Sequence, residues 1–287
     1  MKHSHSARIV PKKSLGQHFL VDDNISREIV ASLTVGPGDV VVELGPGTGA
    51  LTRFLMERGS PLKGAAYVIA VELDPEAIHF LSSLGLGDGL KLVKEDMLKL
   101  DFNALSKEFR RPLKVVSNLP YNISGPMLAR FFDFRHTIDE AVLMLQKEVA
   151  QRVLSPPGKK TYGVLSVLLN YGYWVEGLFQ VPRGAFRPIP KVDSMVIRLR
   201  KRESPPKSLV ADDAIFKRLV RKAFQKRRKK VRNALFPFNG IDERGAFERC
   251  LEEANISPDL RPEDLSVEDF VDLANVLYTH LHRSRGS

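Results

Sequence analysis

Between about residues 38 and 200 the chain alternates short aliphatic, β-branched runs with longer stretches of helical periodicity. Val40-Val41-Val42-Glu43-Leu44 reads as one strand and Tyr67-Val68-Ile69-Ala70-Val71 as a second; Leu90–Val93, Leu113–Val116 and Ala141–Leu145 follow. A strand that is apolar on successive residues, not on alternate ones, must be covered on both faces. Runs of that kind separated by helices form a mostly parallel, doubly wound α/β sheet of Rossmann-like type. In such sheets ligands bind beyond the carboxyl ends of the strands, so residues there are the first candidates for chemistry.

The pattern changes at residues 201–208, Lys-Arg-Glu-Ser-Pro-Pro-Lys-Ser, a polar stretch with a Pro-Pro pair that reads as a linker. Beyond it, helices are expected from Asp212 to Leu235, Arg244 to Ala254 and Ser266 to Leu281, the last opening close to a capping box with Ser266 and Asp269. The expected organisation is an α/β domain over residues 1–203, whose first 36 residues form an N-terminal segment, followed by a small all-helical domain over 204–287.

Charge narrows the classes of partner. The 287 residues carry a formal net charge of +10, a field that favours polyanions. A single cysteine, Cys250, excludes an internal disulfide. No apolar run is long enough to span a bilayer, and the N-terminus lacks the apolar core of a secretion signal. A cytoplasmic monomer without membrane contact is expected. His3 and His5, on a polar terminus, carry no metal reading.

After the first strand comes Glu43-Leu44-Gly45-Pro46-Gly47-Thr48-Gly49, and a helix is expected from about Leu51. Gly45 and Gly47 let the backbone approach a ligand closely and turn sharply. The glycine spacing departs from the dinucleotide fingerprint G-x-G-x-x-G, and no phosphate-binding lysine follows. Glu72, ending the second strand, can accept from ribose hydroxyls. Asp96, ending the third, can accept from an adenine amino group. The three features in register point to S-adenosylmethionine.

The fourth strand runs into Asn118-Leu119-Pro120-Tyr121. An exocyclic amino group on adenine is a poor nucleophile because its lone pair is delocalised into the ring. Two acceptors on its two N–H groups favour the tetrahedral, positively charged nitrogen of the transition state. The Asn118 side-chain oxygen and the Leu119 carbonyl can supply them, Pro120 stiffens the loop, and Tyr121 offers a face on which an extruded base can stack. The sulfonium supplies the driving force, so this chemistry calls for no metal and no base before transfer.

Asn118-Leu119-Pro120-Tyr121 resembles the catalytic motif of N6-adenine methyltransferases in the form used by the rRNA adenine dimethyltransferases. Further segments carry the likeness: Lys13–Leu20, Leu145–Ala150, Phe186–Ser194 (Phe-Arg-Pro-Ile-Pro-Lys-Val-Asp-Ser) and Phe224–Lys230. The last two resemble the small-subunit enzymes of that family. The resemblance implies N6,N6-dimethylation of two adjacent adenosines near the 3′ end of 16S rRNA, within the small ribosomal subunit or its precursor. It also implies cofactor contacts from Gln17, His18, Leu20, Gly45, Glu72, Asp96 and Asn118, an N-terminal lid, and help from Phe186 in holding the target base. Two departures are visible: His18 stands where many relatives carry Asn, and the Arg58–Ala66 connection is longer than usual.

Between Lys217 and Arg232 the chain has ten basic residues and no acid. Arg221, Lys222, Lys226, Arg227, Arg228, Lys229 and Lys230 are the expected phosphate contacts, since like charges on neighbouring turns repel unless a polyanion relieves them. Two other readings remain open: an antibiotic-resistance methyltransferase acting on large-subunit rRNA, and a ribosome-assembly or organellar transcription role independent of catalysis.

Overall fold

The computed structural model describes residues 11–12, 16–57, 67–204 and 206–283. The readings placed on Met1–His5, on Lys13–Leu15 and on the Arg58–Ala66 connection lie outside them. The chain divides into two compact units, Met1–Ala150 with Trp174–Lys201 and Gln151–Tyr173 with Arg202–Ser287.

The first unit opens with β1 (Phe19–Leu20) and α1 (Asp23–Ala31), which is capped by the Asp22 carboxylate accepting from the Asn24 and Ile25 amides. Then come β2 (Val40–Leu44), α2 (Thr52–Met56), β3 (Tyr67–Glu72), α3 (Pro75–Ser83), β4 (Leu90–Lys94), α4 (Phe102–Phe109), β5 (Leu113–Asn118), α5 (Ser124–Asp133) and β6 (Ile138–Gln146). α6 (Lys147–Val153) and α7 (Val164–Gly172) precede β7 (Tyr173–Val181), β8 (Phe186–Arg187) and β9 (Ser194–Lys201). The main sheet has the order β4-β3-β2-β5-β6-β9-β7. β4, β3, β2, β5 and β6 pair in parallel, whereas β9 runs antiparallel to β6.

All five expected strands are present, and β2 is buried along its whole length. β9 was not expected as a strand. It alternates buried and part-exposed positions, a weaker pattern than the continuous runs of the parallel strands. A second, two-stranded sheet pairs β1 with β8, Leu20 opposite Phe186. Both residues sit in one core cluster with Ile29, Val30, Leu51, Phe54 and Val116, where each fully buried aliphatic side chain contributes about 1.5–3 kcal/mol.

The second unit holds α7, α8 (Asp213–Gln225), α9 (Val231–Ala234), α10 (Arg244–Glu253) and α11 (Val267–Arg283). Ser266 and Asp269 form the reciprocal capping box expected from their spacing, at 2.8 and 3.0 Å. Two expectations are corrected. The helix expected from Asp212 to Leu235 breaks at residues 226–230, where five successive cations leave no apolar position to continue the buried stripe of Phe216, Leu219, Val220 and Ala223. The division between units is also discontinuous, because Gln151–Tyr173 joins the helical unit instead of the sheet. The reason is aromatic packing: Tyr171 meets Phe216 at 5.1 Å between ring centroids, Tyr162 meets Phe224 at 5.8 Å, and Phe224 meets Phe270 at 5.9 Å.

Candidate active site

The strand order reverses between β2 and β5, so the chain leaves their carboxyl ends in opposite directions and opens a crevice there. A cleft of about 880 Å³, measured out to open solvent, occupies it. Gln17, His18, Leu20, Gly45, Gly47, Glu72, Asp96, Asn118, Leu119, Pro120 and Tyr121 all line this cleft. Residues spread over a hundred positions of sequence thus share one site. Phe186 does not join them. It is fully buried beneath the cleft in the core, so it has no surface to offer a base, and its pairing with Leu20 braces the N-terminal segment instead.

The loop after β2 is shaped for close approach. Gly47 has φ +55, and a Cβ there would meet the Phe19 ring at 3.0 Å, so any side chain would both strain the backbone and push into the cleft wall. The Gly47 amide donates to Glu72 Oε2 at 3.1 Å, and the amides of Leu73 and Asp74 donate to Oε1 at 2.8 and 2.9 Å. Three main-chain donors therefore orient the Glu72 carboxylate. They leave Oε2 with capacity for a further donor, and the expected acceptance from ribose hydroxyls remains a reading of this carboxylate.

Asp96 lies two residues past the end of β4, not on it, and its Oδ1 accepts from the Leu98 amide at 2.9 Å. Its other oxygen is not engaged among the described residues, and the apolar residues Leu73 and Met97 also line the cleft. A carboxylate acceptor beside apolar side chains suits an amino-bearing heteroaromatic ring, and the Glu72 carboxylate suits a hydroxyl donor. Sequence reading missed Leu73 and Met97, and it missed Glu43. The Glu43 carboxyl is buried, its Oε2 has no partner, and desolvation first, with the Glu72 charge adding, pushes its pKa up to about 8. Burial of an acid inside an otherwise apolar strand was the available signal.

The N-terminal segment is tied to this wall. Lys12 Nζ lies 2.7 Å from Asp74 and 3.2 Å from Glu76, and the Lys12 amide donates to Gln17 Oε1 at 2.8 Å. Burial works against the Asp74 charge, but the Lys12 ammonium outweighs it and holds this carboxyl below its usual range.

On the opposite wall, Ser117 Oγ donates to the Leu44 carbonyl at 2.7 Å, locking β5 to β2 just before the tetrapeptide. Asn118 Nδ2 donates to the His18 main-chain carbonyl at 3.2 Å. Among the described residues no donor engages Asn118 Oδ1 or the Leu119 carbonyl, and both residues line the cleft. The Tyr121 hydroxyl is hydrogen-bonded to Ser194 Oγ at 2.8 Å, and its ring stacks on His18 with centroids 5.3 Å apart. The His18 ring is held by Nδ1–H donating to the Pro188 carbonyl at 2.8 Å. Burial raises the Tyr121 phenol pKa, so it stays neutral at physiological pH.

In the helical unit the basic residues fall into two classes. Arg227 is half-buried and spent on the protein: Nε meets Glu263 Oε2 at 2.6 Å, while its two terminal nitrogens donate to the carbonyls of Lys160 and, at 3.1 Å, Lys159. Lys230, expected as a phosphate contact, pairs instead with Asp259 at 3.0 Å, as does Arg232 at 3.1 Å. Arg221, Lys226, Arg228 and Lys229 are exposed and Lys222 partly so, and no ion pair engages them among the described residues. Arg227 is thus corrected from phosphate contact to internal clasp, because a guanidinium bonded to one carboxylate and two carbonyls has little left for a ligand.

Residues 10–279 match the family model described as ribosomal RNA adenine dimethylase. The ribosomal RNA small subunit methyltransferase A of Moorella thermoacetica is 43% identical over 94% of this chain and 93% of the relative. The protein of that name from Parabacteroides distasonis is 41% identical over 97% and 98%. Among solved structures, a dimethyladenosine transferase from Plasmodium falciparum superposes with a TM-score of 0.76 at 24% identity, covering 93% of this chain and 98% of its own, and shares the fold. No helix among the described residues is long and apolar enough to cross a membrane. The chain belongs to the ribosomal RNA adenine dimethylase family, whose members are S-adenosylmethionine-dependent enzymes.

Proposed function

We propose that this protein dimethylates N6 of two adjacent adenosines near the 3′ end of 16S rRNA in the small ribosomal subunit or its precursor. The observation that carries the reaction is the pair of unengaged acceptors, Asn118 Oδ1 and the Leu119 carbonyl, opening into a cleft whose other wall suits S-adenosylmethionine. The choice of small-subunit RNA rests on the likeness to ribosomal RNA small subunit methyltransferases A. In the same reading the protein works as a cytoplasmic monomer.

When bound, the cofactor supplies an electrophilic methyl group on a sulfonium. Glu72 would accept from its ribose and Asp96 from its adenine amino group, Gly45 and Gly47 would allow its close approach, and Gln17, His18 and Leu20 would line its site from the N-terminal segment. In the first transfer Asn118 Oδ1 and the Leu119 carbonyl accept from the two N6 hydrogens of the target adenine, and in the second one of them accepts from the single hydrogen that remains; each round ends with loss of a proton from the cationic nitrogen to solvent. These acceptors favour rehybridisation of the nitrogen towards tetrahedral, which frees its lone pair from the ring, and they gain strength as positive charge develops on that nitrogen. Leu119 holds its place because its amide donates to the Met144 carbonyl at 3.2 Å and its side chain is fully buried. Tyr121 stacks on the extruded base, with its ring angle set by Ser194 and His18. Arg221, Lys222, Lys226, Arg228 and Lys229 meet phosphates and position the RNA without reading its bases.

The test gives the protein undermethylated small subunits and methyl-labelled S-adenosylmethionine, then digests the rRNA to nucleosides. Label in N6,N6-dimethyladenosine of 16S rRNA is expected. Label in large-subunit rRNA would overturn the substrate, and label in cytosine the chemistry.

A further inference from the structure

The clasp made by Arg227 joins two parts of the chain that lie far apart in sequence. Its guanidinium reaches the carbonyls of Lys159 and Lys160, and Glu263, its ionic partner, accepts from the Gly158 amide through its main-chain carbonyl at 2.7 Å. The segment between α6 and α7 is further ordered by the Tyr162 amide donating to the Lys159 carbonyl at 3.0 Å and by Ser155 Oγ meeting Thr161 Oγ1 at 2.8 Å. Lys159 and Lys160 themselves are exposed, and no ion pair or hydrogen bond engages either ammonium among the described residues. Arg228 and Lys229, the next residues after the clasp, are exposed and unpaired in the same way.

This is an arrangement of charge with a direction. The cations next to acids are neutralised in place: Arg227 by Glu263, Lys230 and Arg232 by Asp259. What remains open at the clasp is Lys159 and Lys160 on one side and Arg228 and Lys229 on the other, with both backbones fixed. Four cations held together cost repulsion that solvent and salt only partly screen, and a phosphate backbone relieves it by releasing its own counterions. Fixed backbones also mean that little chain entropy is lost when a phosphate docks.

We infer that the segment Ser155–Thr161 forms, with the turn after α8, one composite phosphate-binding surface for structured RNA. In it Lys159, Lys160, Arg228 and Lys229 make the contacts, and Arg227 positions them without touching the ligand. The inference rests on the RNA reading above and adds a second segment to it. Residue type alone does not reveal this, because Lys159 and Lys160 stand nearly seventy positions before the basic run.

The test measures affinity for undermethylated 16S rRNA across a salt titration, with a scrambled RNA as reference, for the full chain and three variants. Lys159→Ala with Lys160→Ala is expected to weaken binding about tenfold near physiological salt and to lower the log–log salt slope by about 1.5, the loss of two phosphate contacts. Arg228→Ala with Lys229→Ala is expected to do the same. Arg227→Lys keeps the charge but cannot span a carboxylate and two carbonyls; it is expected to weaken binding comparably, with a lowered melting temperature that the exposed-lysine pair does not show. If the unmodified protein prefers 16S rRNA and the Arg228/Lys229 pair matters while the Lys159/Lys160 pair leaves affinity and slope unchanged, the composite surface is overturned alone. If the unmodified protein shows no preference for 16S rRNA, the substrate reading falls and takes the surface with it.

Discussion

The side-chain amide of Asn118 donates to the main-chain carbonyl of His18 at 3.2 Å. A carbonyl only accepts, so the atom facing it must be the NH₂ group, and the amide's oxygen is left to the cleft. One contact from the N-terminal segment thereby orients the acceptor on which the proposed chemistry depends.

Replacing that acceptor separates its two duties. Asn118→Ala is expected to slow methyl transfer by about 3 kcal/mol, on the order of a hundredfold or more, with a smaller effect on cofactor affinity. Asn118→Asp retains acceptor oxygens but sets one against the His18 carbonyl, and should also be strongly impaired. Single-turnover transfer of labelled methyl is the measurement, and a rate within threefold of the unmodified enzyme in either variant would refute the assigned roles.

Much of this was legible in the sequence, for identifiable reasons. β2, β3, β5 and β6 announce themselves because burial on both faces leaves few polar residues in the run, while β4, at the sheet edge with no fully buried residue, is legible only by its place in the alternation; ligand chemistry follows where such strands end. Gly45, Gly47, Glu72 and Asn118 could therefore be placed before the fold was seen. What stayed hidden depends on contacts across long sequence separations. Nothing local distinguishes Arg227 from Arg228; only Glu263 and the carbonyls of Lys159 and Lys160 do. Phe186 is buried because β8 pairs with β1, a partnership between two-residue strands too short to leave a pattern. The transfer of Gln151–Tyr173 to the helical unit rests likewise on Tyr162 and Tyr171 finding Phe224 and Phe216.

Tyr121 should tolerate loss of its hydroxyl better than loss of its ring. Its bond to Ser194 is worth about 1 kcal/mol, and the raised phenol pKa leaves no phenolate to take part near neutrality. Tyr121→Phe is expected to keep kcat/KM on RNA within about fivefold, with an unchanged pH profile. Tyr121→Ala removes a stacking face worth about 1–3 kcal/mol per base and should lose tenfold or more. Equal losses in the two variants would show that the hydroxyl, not the ring, carries the effect.

Glu43 imposes a pH dependence on stability. Its folded-state pKa, near 8 because of burial, lies above that of an unfolded glutamate at about 4.3. Between those values the native state holds a proton that the unfolded chain has lost, so stability falls as pH rises through this window. The slope is at most about 1.4 kcal/mol per pH unit. Glu43→Gln cannot ionise and should remove this component, leaving the variant relatively more stable at pH 8 than at pH 5 when compared with the unmodified protein. Denaturant unfolding at both pH values reads the difference, and a gap independent of pH would contradict the burial argument.

Arg227 and Arg228 are neighbours in sequence with different expected phenotypes. Arg227→Ala strands the partly buried Glu263 and takes a donor from each of the Lys159 and Lys160 carbonyls, a loss of about 2 kcal/mol in stability. Arg228→Ala removes an exposed side chain with no ion pair and should change stability by less than about 0.5 kcal/mol. For RNA both variants are expected to bind more weakly, by different routes: Arg227→Ala through loss of the clasp, with a lowered melting temperature. Arg228→Ala weakens binding directly and lowers the salt slope by about 0.8, with unfolding unaltered. Paired unfolding and RNA-binding curves for the two variants decide the matter: if Arg227→Ala unfolds like the unmodified protein, its guanidinium is not the clasp, and the division between structural and phosphate-facing cations falls with it.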